Sequence, residues 1–116
     1  MNLTLPFPPS ANRYWRSKIV NSRVSVYKTT EARAYQELAY WTAKQQGAKP
    51  LKGPVILRGT IFFPNKRGDL SNRIKVVEDA LQGAAYVNDS QVVRIDLSKA
   101  IDKSDPRVEL EILEAV

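Results

Sequence analysis

Residues 65 to 81, NKRGDLSNRIKVVEDAL, put Lys66, Arg67, Asp69, Lys75, Glu78 and Asp79 in one short stretch, and a further carboxylate, Asp89, follows in the turn YVNDS. The chain has no histidine and no cysteine. Imidazole is therefore absent as acid, base or ligand, as are thiolate nucleophiles, thiolate zinc sites and disulfides. Any metal held here is hard and oxygen-bound. Asp69, Glu78 and Asp89 beside Lys75 are the types that hold Mg²⁺, which takes oxygen ligands and keeps waters for substrate phosphates. The same residues also suit a plain solvated helix face, with Lys75 and Asp79 paired at four-residue spacing.

The elements that must position these groups follow from local pattern. Leu70, Ile74, Val77 and Leu81 share one helical face and make it core, while Ser71, Lys75, Glu78 and Gln82 form a polar strip beside it, with Asn72 and Asp79 further round toward solvent. Asp69 is expected to cap this helix, and Gly83 to end it after Gln82. Upstream, GPVILRGTIFF (53–63) reads as a central strand closed by Pro64. LTLPFPPS reads as a short strand ended by prolines, and IVNSRVSVYK as a hairpin turning at Asn21 and Ser22. A helix is expected over about 30–46, capped by Thr29 or Thr30 and stopped by Gly47, with Ala34, Leu38 and Trp41 as its apolar positions. QVVRIDLSKAI and RVELEIL are two further strands joined by DKSDP. The order ββαβαββ predicts an α+β fold in which two helices cover one mixed sheet.

At 116 residues the chain is expected to be a single domain, residues 1–116, and its 43% apolar and 26% charged residues are ordinary globular values. No apolar run reaches the roughly 20 residues of a membrane span, and the start MNLTLPFPPS lacks signal-peptide character, so a cytoplasmic protein is expected. A net charge of +6 points to a polyanion, with nucleic acid the leading partner and an ordinary basic protein the alternative. Carboxylates beside so basic a loop would repel DNA unless a metal neutralised them. Arg13, Arg16 and Lys18 in ANRYWRSK, together with Lys66 and Arg67, are candidate phosphate contacts; Tyr14 and Trp15 would stack on bases or anchor the loop to the core.

Three blocks carry a resemblance that covers nearly the whole chain. LPFPPSANRYWR, GDLSNRIKVVEDALQG and YVNDSQVV, in that order, resemble the RusA family of Holliday junction resolvases of phage and prophage type. In that family a D-x-D-N signature is followed by a lysine, and another aspartate sits in a D-D-x-Q-V turn. Position by position the resemblance makes Asp69 the first aspartate, Asn72 the asparagine, Lys75 the lysine and Asp89 the aspartate of the second motif. Ser71 stands where the second aspartate usually does, and a hydroxyl is a poor substitute for a charged ligand. Glu78, seven residues on and about 20° away round the axis, is expected to restore that charge.

The resemblance implies a Mg²⁺-dependent (or Mn²⁺-dependent) endonuclease that resolves four-way DNA junctions in recombination and repair by paired nicks. It implies a homodimer, a bacterial or phage-encoded origin, and metal ligation by Asp69, Glu78 and Asp89. Lys75 would stabilise charge in the transition state, and Asn72 would orient the carboxylates at the nucleic-acid face. The strand VILRGTIFF is a candidate dimer surface. Two alternatives stand beside this reading: a non-catalytic nucleic-acid-binding homologue with a degraded metal site, and a basic phage assembly protein.

Overall fold

The computed structural model describes residues 1–115. Its elements are β1 (Asn2–Pro6), α1 (Ala11–Tyr14), β2 (Trp15–Val20), β3 (Arg23–Lys28), α2 (Thr30–Gln45), β4 (Val55–Phe63), α3 (Leu70–Ala80), a 3-10 turn at Asp89–Gln91, β5 (Val92–Ile101) and β6 (Arg107–Glu114). The α+β class is as expected. The main sheet is mixed, in the order β1-β6-β4-β5, with β4 and β5 parallel and the other pairs antiparallel. α3 lies in the crossover between β4 and β5, as parallel neighbours require.

The β2–β3 hairpin turns at Asn21 and Ser22, both at positive φ, which is the two-residue primed turn that matches strand twist. It forms a separate two-stranded sheet rather than joining the main one. The short helix α1 before it has no strong periodic signal in four residues. β4 supplies Val55, Leu57, Ile61 and Phe63 to the main core, and from α3 Val77 and, just past its end, Leu81 pack against them. Leu70 and Ile74 pack at its margin.

Three expectations change. On α2 the buried positions are Ala32, Tyr35, Ala39 and Ala43, while Ala34, Leu38 and Trp41 face outward, Leu38 at 53% and Trp41 at 58% exposure. Both faces of this helix carry apolar residues at helical spacing. The alanine face wins because small side chains let α2 approach α3 closely, making a second core of Tyr14, Ala32, Tyr35, Ala39, Val76 and Ala80. Second, α3 ends at Ala80, and Asp69 occupies its cap position without making a side-chain cap bond. Third, β4 is hydrogen-bonded on both edges, so the strand VILRGTIFF has no free edge to offer a second subunit.

Candidate metal and nucleic-acid site

The polar strip of α3 survives, but Asp79 does not belong to the solvent. Its side chain is 14% exposed; it pairs with Lys28 at 2.7 Å and accepts the Tyr14 hydroxyl. Gln82 Nε2 donates to Asp79 Oδ1 at 3.1 Å, and Gln82 Oε1 accepts the Asp89 backbone N–H at 3.0 Å. The Lys75–Asp79 pair of the bland reading is thus replaced by a network that runs from the hairpin through Asp79 and Gln82 to the acidic turn. Nothing local in the sequence signals it, because Lys28 and Tyr14 arrive from 51 and 65 residues away.

The turn that carries Asp89 is rigidly built. Asn88 and Gln91 cap it reciprocally, and Gln91 Nε2 also donates to the carbonyls of Leu51 and Gly53, each at 2.8 Å. Tyr86 is fully buried beneath, and its hydroxyl donates to the Glu78 carbonyl at 2.6 Å. These contacts set Asp89 beside Glu78. Partial burial pushes the Glu78 carboxyl above its ordinary range; the Asp89 charge pushes the same way and Lys75 opposes both. Burial, with Glu78 and Asp89 close by, also raises the Tyr86 phenol.

Asp69 stands apart. It lies nine residues before Glu78, about 13 Å along the helix axis. Its carboxylate accepts a long bond, 3.4 Å, from Asn72. Among the described residues no three acidic side chains gather closely enough to hold one metal ion. The structure therefore brings together Glu78, Asp89 and Lys75, and leaves Asp69, Ser71 and Asn72 toward the other end of the strip.

The donor chemistry of the pair fits a hard cation. Mg²⁺ is commonly held by one or two carboxylates, with substrate phosphates and waters filling the rest of its shell. Among the described residues Lys or Arg ion pairs engage Asp79, Asp102, Asp105, Glu109 and Glu111, but not Glu78, Asp89 or Asp69. Glu78 and Asp89 are thus two neighbouring carboxylates that no Lys or Arg ion pair among the described residues engages.

Arg13, Arg16 and Lys18 are exposed on α1 and β2, and Lys66 and Arg67 are exposed in the loop before α3. Tyr14 is fully buried, so it anchors rather than stacks; half-buried Trp15 meets its ring edge-on at 4.5 Å. The sequence reading missed two basic residues that shape the loop. Lys99, from β5, donates to the Lys66 and Gly68 carbonyls at 2.9 and 2.8 Å while lying over the Phe63 ring. Arg73 donates to the Pro8 carbonyl and lies over Phe7 and Phe63, with burial and nearby Arg13 lowering its pKa. A lysine at an inward-facing position of a strand was the available signal for Lys99. Lys99→Met should speed amide hydrogen exchange across residues 64–68 and weaken DNA binding several-fold, with little change in Tm, because the loop loses both carbonyl ties and the core does not.

Comparison with known proteins points to one family. The family model described as Endodeoxyribonuclease RusA matches residues 6–113. The crossover junction endodeoxyribonuclease RusA of Escherichia coli strain K12 is 34% identical over 116 residues, covering 97% of this chain and 93% of the relative. The Shigella sonnei strain Ss046 protein of the same name has the same identity and coverage. The protein from Enterobacteria phage 82 is 32% identical over 124 residues, again with 97% and 93% covered. The chain is an α+β endodeoxyribonuclease. It belongs to the RusA family.

Proposed function

We propose that this protein is a Mg²⁺-dependent endonuclease that resolves four-way DNA junctions by paired nicks, and that it acts as a homodimer in recombination and repair. The observation that carries the reading is the unpaired Glu78–Asp89 carboxylate pair next to Lys75 on a +6 chain. Its relatives are named crossover junction endodeoxyribonucleases, which supplies the substrate class. Glu78 and Asp89 would hold the ion, and Asp69, at the start of the same helix, would lie outside that pair. Mg²⁺ held there would supply Lewis-acid chemistry, an activated water and a polarised scissile phosphate.

The chain's own residues do the rest. Lys75 faces the charge that builds on the phosphoryl oxygens in the transition state. Arg13, Arg16, Lys18, Lys66 and Arg67 hold phosphates without reading sequence, and Asn72 fixes the orientation of Asp69. A four-way junction presents two equivalent strands, which a two-fold dimer suits. Lys75→Met should lower kcat about 10²-fold with little change in junction affinity, since its contribution is confined to the transition state.

The test is cleavage of a synthetic four-way junction with and without Mg²⁺. Symmetric nicks that require the ion are the expected result. Tight junction binding with no nicking under any divalent cation would be the contrary one.

A further inference from the structure

We propose that the β2–β3 hairpin is a wedge that enters the branch point of the DNA junction, its apolar face packing on unstacked bases while its basic face holds the flanking phosphates. This rests on the reading above for the branched substrate and adds how the branch is engaged.

The hairpin is a two-stranded ribbon separate from the main sheet. All its strand residues except Trp15, Ser25 and Lys28 are exposed. The register sorts its side chains, because partners across the ladder share a face and faces alternate along each strand. Trp15–Lys28, Ser17–Val26 and Ile19–Val24 make one face; Arg16–Tyr27, Lys18–Ser25 and Val20–Arg23 make the other. The first is apolar toward its tip, with Ile19 at 78%, Val24 at 72% and Val26 at 67% exposure. The second carries Arg16, Lys18 and Arg23, none of which joins an ion pair among the described residues. Lys18 lies instead over the Tyr27 ring, 5.2 Å from its centre.

An isolated two-stranded ribbon is marginal in water, and three β-branched side chains in solvent contribute no burial until something covers them. Charge selects the occupant. Residues 15–28 hold four basic residues and no acidic one, so the partner is polyanionic and offers an apolar surface as well. Branched DNA does both, with phosphates outside and, at the crossover, base faces open to an apolar insert. A β-ribbon fits a DNA groove, and apolar side chains inserted between base steps hold them apart. The six residues of β2 reach about 20 Å, against a groove about 8.5 Å deep.

An anionic lipid surface also combines charge with apolar matter, but the mount of the hairpin favours DNA. At its root Lys28 pairs with Asp79, which Gln82 joins to the backbone of Asp89. A wedge on that mount holds the branch at a fixed place relative to Glu78 and Asp89, so it serves the substrate of the same site.

A four-way junction carrying 2-aminopurine beside the branch point, bound in EDTA so that it stays uncut, tests the wedge. Fluorescence at the branch should rise several-fold on binding, and 2-aminopurine placed in mid-arm should not respond. Ile19→Thr, Val24→Thr and Val26→Thr together keep β-branching and charge and remove the apolar face, with hydrogen exchange of the hairpin amides confirming an intact ribbon. This variant should lose the fluorescence rise and about 10-fold of the preference for junction over linear duplex, with duplex affinity unchanged. Arg16→Gln, Lys18→Gln and Arg23→Gln together should instead weaken junction and duplex binding alike and flatten the salt dependence. Equal brightening with the threonine variant overturns the wedge, as does wild-type binding without brightening. So do threonine changes that alter only self-association in sedimentation or binding to phosphatidylserine vesicles, which assign the face to a second copy or to lipid. Mg²⁺-dependent nicking is scored on the same junction: nicking without brightening overturns the wedge and leaves the nuclease reading standing, whereas brightening without nicking does the reverse.

Discussion

Asp89→Asn and Glu78→Gln should each lower junction cleavage about 10³-fold while leaving junction binding unchanged or tighter. The magnitude is that of several kcal/mol of metal-derived charge stabilisation, each 1.36 kcal/mol being tenfold in rate. The direction of the binding effect follows because either change removes a negative charge from a surface that meets phosphates. Folding serves as the internal control. The Glu78 pKa is raised in the folded protein, so the group favours the fold below its unfolded pKa, and that contribution is lost as pH rises through the folded value. Glu78→Gln should therefore melt at or above the wild-type Tm at neutral pH, with the advantage vanishing in acid. Loss of cleavage without loss of stability separates a site residue from a structural one.

Asp79→Ala should cost about 3 kcal/mol of stability, because it strips the partner from a buried tyrosine hydroxyl and from Lys28 at once. Urea titration at neutral pH measures it. Asp79→Asn keeps an acceptor for Tyr14 and loses only the charge, so it should cost about half as much. The loss should extend beyond stability. The β2–β3 hairpin reaches the body of the protein through Tyr14, Lys28 and the cap at Thr29, and it carries Arg16 and Lys18. Junction affinity should fall in Asp79→Ala with kcat for bound junction much less affected. Equal loss in kcat would place Asp79 in the chemistry instead.

Much of the fold can be read from local pattern. The hairpin at Asn21 and Ser22, the β4 run and the start of α3 each carry turn, β-branched or periodic signals that tertiary contacts do not override. The buried face of α2 was not legible, since helical spacing cannot rank an alanine stripe above one bearing Leu38 and Trp41. Which face packs depends on the smooth surface of α3 opposite, with Val76 and Ala80. The site divides the same way. Glu78 and Asp89 could be proposed as neighbours from motif order, and the structure sets them close. The expected convergence of Asp69 with them relied on the longer glutamate arm to span the turns between, and about 13 Å of rise is more than that arm covers. The role of Asp79 depends on partners from the far side of the sequence, which no spacing rule encodes.

The central claim is that Glu78 and Asp89 together hold a divalent cation, and carboxyl-carbon NMR during a Mg²⁺ titration tests it most directly. The account predicts that the two resonances move together and saturate, that the Glu78 pKa falls toward its ordinary range, and that Asp79 stays still. Mg²⁺-dependent cleavage of a junction by a protein whose Glu78 and Asp89 resonances do not respond to the ion would contradict it.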